Sequence, residues 1–143
     1  MANGEAVQVG AVPNKALHVT LWGVQALLAL AFFGAGFSHA TQPIDELAKQ
    51  MGWPGSAPQA LVRFIGIAEL AGALGLLLPS ITRIKPKLTV WAALGFLAIM
   101  VLAVPTHLAR GEFYMLPVNG VLGGLAAFIA WGRSKKAPIT ARS

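Results

Sequence analysis

Four long apolar runs divide the chain, and short polar segments separate them. A helix that crosses a bilayer needs about 20 predominantly apolar residues, and each run has roughly that length. We therefore predict an all-α fold, a four-helix transmembrane bundle with spans at about 17–39, 58–79, 88–110 and 113–131.

Polar tails flank this predicted membrane domain of residues 17–133. Residues 1–16 mix glycine, asparagine and proline without clear periodicity, so we expect a flexible cytoplasmic tail there. Residues 134–143 carry lysine and arginine and are interpreted as a second, basic cytoplasmic tail. The Ser-His-Ala sequence at 38–40 resembles a signal-peptidase site, but the apolar run before it is longer than the core of a signal peptide. That length favours a retained span.

The first polar segment contains a short amphipathic pattern. Apolar residues recur at helical spacing from Ile44 to Met51, with carboxylates in the first turn and Gly52 directly after the last turn. Trp53 follows, and tryptophan is a common anchor at a membrane interface. The pattern predicts a short interfacial helix in the first extracytoplasmic loop.

Small residues are frequent within the apolar runs, where they allow neighbouring helices to approach closely. We expect such contacts at Gly34 and Gly36 in the first span, at Gly72 and Gly75 in the second, and at 120–124 in the fourth. The same positions would also permit a homo-oligomer, and the sequence does not separate these two uses.

Composition indicates an integral membrane protein in a lipid bilayer. The chain is 56% hydrophobic and 11% charged, whereas a soluble domain carries about 25% charged residues. Its net charge of +6 lies between the apolar runs rather than on a soluble surface, so we expect no nucleic-acid partner. Because the chain lacks cysteine, it holds no thiol relay and no thiolate-bound iron–sulfur cluster of its own.

Lysine and arginine are distributed unequally between the two sides of the predicted bundle. Eight lie on the side of the termini, whereas three, namely Lys49, Arg63 and Arg110, lie on the other side. The cytoplasmic side of a multi-pass membrane protein carries the excess of positive charge. We therefore predict a multi-pass protein of the cytoplasmic (inner) membrane with its N- and C-termini in the cytoplasm.

One carboxylate interrupts the second span. Between Arg63 and Pro79 every residue is apolar or glycine except Glu69. A carboxylate inside a membrane is costly, so it must face protein or water and find a partner. Arg63 lies about 240° around an ideal helix from Glu69 and is not expected to be that partner. The predicted hydrogen-bond partner is Asn119, at a similar depth in the fourth span, or a histidine.

Polar residues of the other spans collect at the same outer end, which predicts an outward-opening pocket around Glu69. Glu69 and His107 are the candidate catalytic residues. Glu69 could instead be a purely structural carboxylate. His107 could instead be a histidine that simply reaches the membrane interface. The candidate ligand-binding residues are His39, Glu69, His107, Arg110 and Asn119, and the rim holds Arg63, Glu112 and Tyr114.

Two histidines, two arginines and one buried acid would suit an anion, a quinone head group or a proton transfer. The sequence does not choose among these ligands. The two histidines could also hold a b-type haem, but nothing else in the sequence supports that cofactor. No metal site is predicted, because a di-iron site needs about four carboxylates and two Glu-x-x-His pairs, whereas only Glu69 lies well inside a span and the chain has no such pair.

Two segments carry a resemblance to a known family. They are Gly-Ile-Ala-Glu-Leu-Ala-Gly-Ala-Leu-Gly-Leu-Leu-Leu-Pro at 66–79 and His-Leu-Ala-Arg-Gly-Glu at 107–112, with Gly-Ala-Gly at 34–36 and Asn119 as further matches. Over about residues 20–133 the chain resembles the DoxX-like family of small four-span membrane proteins. The family name comes from a subunit associated with thiosulfate:quinone oxidation. The resemblance therefore implies a link to redox or detoxification systems.

Our leading hypothesis is a membrane subunit that binds a small molecule or a quinone, or anchors a redox-enzyme partner, with Glu69 at the site. Because the chain has no thiol and no cofactor motif, it would depend on that partner for electron transfer. One alternative is a stand-alone membrane enzyme that uses Glu69 with His39 or His107 as acid and base. Another is a small transporter or assembly factor without catalysis.

Overall fold

The computed structural model describes residues 14–143, and this part of the chain is helical without a strand. Four of its five α-helices, the last with its flanking turns, are long and apolar enough to cross a membrane. The predicted four-span all-α fold is therefore confirmed. The helices are α1 (Lys15–Thr41), α2 (Ile44–Met51), α3 (Gln59–Thr82), α4 (Lys87–Ala109) and α5 (Leu116–Trp131).

The observed helix limits differ from the predicted spans mainly near the tails. Helix α1 begins at Lys15, where the Asn14 side chain caps it, and residues 1–13 of the predicted flexible tail lie outside the described residues. A 3-10 turn at Phe113–Met115 precedes α5, and a π-helical turn at Gly132–Lys136 extends it. The fourth apolar segment thus continues to Lys136 instead of ending at 131.

The four long helices form a ring in chain order. Helix α1 packs against α3, α3 against α4 and α4 against α5, and α5 closes the ring on α1. Consecutive helices are therefore antiparallel. One end of the bundle, here called the termini end, holds the start of α1, the α3–α4 turn and the C-terminal residues. The other end, here called the loop end, holds α2 and the α4–α5 turn.

Two aromatic rings occupy the centre of the bundle. The rings of Phe32 and Phe96 stack with their centroids 3.8 Å apart, and the absence of a side chain at Gly72 leaves room for the Phe96 ring. Large apolar side chains such as Leu30 and Leu102 remain exposed on the outside of the bundle. Exposed apolar side chains on long apolar helices are typical of a surface in contact with lipid.

The closest helix contact joins α1 and α3 through two glycines. A Cβ atom on Gly36 would lie 2.8 Å from the carbonyl oxygen of Gly66, and a Cβ on Gly66 would lie 2.6 Å from the amide nitrogen of Ala40. The predicted close packing is therefore confirmed at Gly36, whereas a Cβ on Gly34 would meet nothing within 4 Å. In the fourth span, Cβ atoms at residues 120 and 124 would also meet nothing within 4 Å, so these glycines make no close contact within the bundle, and their use in a homo-oligomer stays a prediction.

The predicted helix in the first loop is present as α2. It ends at Gly52, whose φ of +74° lies in the left-handed region that glycine adopts without strain. Leu47 is fully buried, so the apolar face of α2 packs on protein. The placement of α2 at a membrane surface stays a prediction.

The C-terminal residues, predicted to be a tail, pack back against the α3–α4 turn. Ala137 is buried, the amide of Arg142 donates to the carbonyl oxygen of Arg83 over 3.0 Å, and Nε of Arg83 donates to the carbonyl of Thr140. Arg83 adopts a φ of +59°, a left-handed conformation that commonly terminates an α-helix. The termini end is therefore covered by ordered chain.

Candidate functional site

Glu69 meets a histidine of the neighbouring helix. Its Oε2 lies 2.6 Å from Nδ1 of His39, and the two side chains are only 6% and 7% exposed. The close approach of α1 and α3 at Gly36 brings the two residues together, because a Cβ on Gly36 would lie 2.9 Å from Cβ of Glu69. Glu69 therefore faces the bundle interior, as its cost in a membrane requires.

The first loop covers the other side of the His39 ring. Nε2 of His39 lies 3.1 Å from the sulfur of Met51, and the ring of Trp53 approaches edge-on with its centroid 5.3 Å away. Arg63 donates from Nη1 to the carbonyl oxygen of His39 over 2.7 Å. Arg63 thus bonds to the backbone beside the pair and forms no ion pair with Glu69, as expected, while its place at the rim of a pocket stays a prediction.

A single proton joins His39 to Glu69. Nδ1 and Oε2 lie 2.6 Å apart, so a hydrogen bond between them needs a proton on one of the two atoms. The imidazole and the carboxyl can each carry that proton. The pair can therefore pass a proton between its two members across one short hydrogen bond.

A second polar cluster, here called the turn cluster, consists of His107, Arg110 and Glu112 where α4 ends. Nδ1 of His107 lies 2.7 Å from Oε2 of Glu112, and Nε of Arg110 donates to Oε1 over 2.7 Å. Gly111, with a φ of +69°, lets the chain reverse between these residues. Hydrogen bonds from His107 and then Arg110 hold the pKa of Glu112 below its ordinary value.

The segment Met51–Ser56 links the two groups of polar residues. Met51 and Trp53 lie on His39, whereas Nη1 of Arg110 donates to Oγ of Ser56 over 2.5 Å. A single constellation was predicted, but the described residues form two clusters under one loop. The carboxylate of Glu112 holds the turn cluster together, and Tyr114 is exposed. The rim roles of both residues stay predictions.

Asn119 is buried without a hydrogen-bond partner. It is 5% exposed, and its Nδ2 finds no acceptor in residues 14–143. Of the two partners predicted for Glu69, the histidine is found and the hydrogen bond to Asn119 is absent from this part of the chain. Contacts between Gly72 and Phe96 and between Gly123 and Met100 place Asn119 roughly 8 Å nearer the loop end than Glu69, about one and a half helical turns. The bundle interior thus holds an unused amide donor on the loop-end side of the carboxyl.

The predicted outward-opening pocket stays a prediction. The polar groups at the loop end bond to one another, and two grooves of about 700 Å³ and 930 Å³ lie at the termini end instead. The roles predicted for His39, Glu69, His107, Arg110 and Asn119 in ligand binding remain predictions as well.

A family model described as the DoxX-like family matches residues 23–129 of the chain. The chain belongs to the DoxX-like family. The matched region holds the four membrane helices in large part, together with both polar clusters and Asn119. Comparisons with curated proteins and with solved structures give no match.

One buried contact of this DoxX-like chain escaped the sequence analysis. Nε of Arg133 donates to Oε1 of Gln25 over 2.5 Å, and Nε2 of Gln25 donates to the carbonyl oxygen of Leu76 over 2.7 Å. Gln25 lies in the first predicted span and Arg133 directly after the fourth, and no partner was predicted for either. The extension of the fourth segment beyond 131 is what carries Arg133 into the bundle.

Replacing Glu112 with glutamine should destabilise this DoxX-like protein at neutral pH, and the difference from wild type should shrink in acid. Glu112 has a pKa below its ordinary 4.5 in the folded protein. A carboxyl with a lowered folded pKa contributes stability above its unfolded pKa, and the contribution is lost as pH falls through the folded value. Thermal unfolding of both proteins from about pH 7 to about pH 3 measures the effect.

Glu46→Gln is the matched control, because Glu46 is an exposed carboxylate that pairs only with Lys49. This variant should melt like wild type across the range. A Glu112→Gln difference that stays constant down to the lowest pH would contradict the assigned role of the carboxylate.

Proposed function

We propose that this DoxX-like membrane protein binds a small lipophilic molecule with a polar head, of which a quinone is the leading candidate, at the loop end of its bundle. The observation that supports the proposal is the buried His39–Glu69 pair. An ionisable pair within a membrane segment is costly and is a functional candidate by default. This pair also holds a proton that can move between its two members.

The side chains would divide the work of binding such a molecule. The amide of Asn119 offers an unused donor to a carbonyl oxygen of the ligand. The His39–Glu69 pair would supply or accept a proton at a neighbouring oxygen. Electron transfer would come from a redox-enzyme partner, because the chain has no cysteine and no cofactor motif of its own. The protein would then act as a binding subunit or membrane anchor of a redox or detoxification system.

Two other roles remain in competition with this proposal. The same pair could act as acid and base in a stand-alone membrane enzyme, with His107 as a second proton carrier. It could also be purely structural, a role for which the hydrogen bond between His39 and Glu69 and the cover by Met51 and Trp53 would be sufficient. In that case the protein would be a transporter or an assembly factor without chemistry at Glu69.

We further propose that the termini face the cytoplasm and that the protein lies in the cytoplasmic membrane. The charges support this orientation. Eight lysine and arginine residues belong to the termini end, and Lys49, Arg63 and Arg110 belong to the loop end. The His39–Glu69 pair would then open towards the extracytoplasmic side.

Glu69→Gln should weaken quinone binding at least about tenfold, the change expected when a hydrogen bond to a charged or proton-sharing group is lost. A short-chain quinone is titrated into the purified protein, and quenching of tryptophan fluorescence reports binding. Trp53, beside His39, is the expected reporter, so Trp53→Phe should remove most of the signal. Glu46→Gln, an exposed carboxylate in the same loop, should bind like wild type.

The outcomes separate the three roles. A folded Glu69→Gln protein with unchanged binding would place any quinone elsewhere and remove the pair from the site. If Glu69→Gln and His39→Gln both unfold the protein, the structural role is favoured. Turnover of a quinone by the purified chain, without a partner, would support the stand-alone enzyme.

A further inference from the structure

The positive charge of the termini end has no acidic counterpart among the described residues. Residues 14–143 contain four acidic residues, and all lie towards the loop end. They are Asp45 and Glu46 in α2, Glu69 in the half of α3 nearer the loop end, and Glu112 in the α4–α5 turn. The ionisable side chains that the structure describes at the termini end are therefore all basic. Its basic residues are Lys15, Arg83, Lys85, Lys87, Arg133, Lys135, Lys136 and Arg142.

Arg133 carries this charge into the interior without a counter-ion. It is 4% exposed, and no anion is among its contacts, which are the side chain of Gln25, a ring nitrogen of His18, the Trp22 ring and the carbonyl oxygen of Ala137. Within residues 14–143 it forms no salt bridge, and its Nη2 has no hydrogen-bond partner. A buried cation without an anion is costly, so a nearby negative ligand would be stabilising.

A groove of about 700 Å³ begins beside this arginine and continues along α4. Lys85 and Lys87 lie at its charged end, and both are exposed. Trp91, 68% exposed, and Leu94 form an apolar wall that extends about 10 Å along the helix from Lys87. The groove therefore combines cations at the end of a membrane segment with an apolar surface inside it.

We propose that this groove binds an anionic phospholipid. The phosphate lies against the ammonium groups of Lys85 and Lys87, with the charge of Arg133 behind them, and an acyl chain follows Trp91 and Leu94 along α4. Basic pockets at the ends of membrane helices bind anionic head groups through the same combination of charge and apolar contact. A free phosphate would use the cations but not the wall. The lipid site is independent of the function proposed for Glu69.

Phosphatidylglycerol should raise the melting temperature of the detergent-purified protein in a saturable manner, because a ligand that binds only the folded state stabilises it. Phosphatidylcholine and inorganic phosphate are added in parallel at equal concentrations, and we expect no comparable shift from either. In the double variant Lys85→Gln, Lys87→Gln the apparent affinity for phosphatidylglycerol should fall about 25-fold, since each lysine near an anionic lipid contributes a factor of roughly five.

The matched control is the double variant Lys135→Gln, Lys136→Gln. It removes the same charge from the same end, but neither lysine lines the groove, so its affinity should equal that of wild type. An equal loss in both double variants would mean diffuse attraction to the basic surface and would overturn the site. A shift with inorganic phosphate as large as that with phosphatidylglycerol would overturn the assignment to a lipid.

Discussion

Gly36→Ala should destabilise the protein strongly, by about 3 kcal/mol or more, the upper range for a side chain forced into a closely packed contact. The new Cβ would lie 2.8 Å from the carbonyl oxygen of Gly66 and 2.9 Å from the amide nitrogen of Leu70. Both atoms belong to the backbone of α3 and cannot move without shifting the helix. Thermal unfolding in detergent, followed by circular dichroism, measures the loss.

Gly34→Ala is the matched control on the same helix. A Cβ at Gly34 meets nothing within 4 Å, so the variant should be neutral or more stable by up to about 1 kcal/mol through the helix propensity of alanine. Separation of α1 from α3 in Gly36→Ala should also weaken the contact between His39 and Glu69. Equal stability of the two alanine variants would contradict the close crossing of α1 and α3.

Gln25→Leu should cost about 2–4 kcal/mol of stability, although leucine suits an apolar span better than glutamine. Gln25 is fully buried, and its loss removes the acceptor for Nε of Arg133. It also removes the hydrogen bond that Nε2 of Gln25 donates to the buried hydroxyl oxygen of Ser80. A buried cation deprived of a partner is penalised more than a neutral group. The free energy of unfolding, measured by denaturant titration in mixed micelles, reports this cost.

A double-mutant cycle with Arg133→Met isolates the contact. The double variant Gln25→Leu, Arg133→Met leaves neither side chain buried without its partner. Its loss of unfolding free energy should therefore be smaller than the sum of the two single losses by about 1–3 kcal/mol. Gln50→Leu in α2, an exposed glutamine, serves as control and should have little effect. Additive single losses would show that the two side chains do not stabilise each other.

The His39–Glu69 pair shows where sequence reasoning about the site reached its limit. Hydropathy alone identified Glu69 as a costly carboxylate in need of a partner at the loop end. It also placed His39, His107, Arg110 and Asn119 at that end. Which of them meets Glu69 depends on the rotation of each helix about its axis and on the vertical register between helices. A span that is apolar on all sides shows neither its rotation nor its register in the sequence. Depth favoured Asn119, but the glycine contact between α1 and α3 selected His39.

The glycines and Arg133 illustrate the same limit. Small residues at Gly34 and at Gly36 carry the same sequence signal, yet only Gly36 faces α3. Arg133 follows an apolar span in sequence and reads as a tail charge. The π-helical turn at Gly132–Lys136 instead keeps it within the bundle, where Gln25 binds it.

By itself the sequence determined four membrane segments, the helix between the first two of them and the family. These features are local, because in a membrane an apolar segment must satisfy its backbone hydrogen bonds within its own helix, whatever its neighbours are. Only the tertiary structure decided the partners: His39 for Glu69, Gln25 for Arg133, and Glu112 for both His107 and Arg110. Those pairings require side chains from different segments, or from both sides of a turn, to come within about 3 Å, and helix packing sets that geometry.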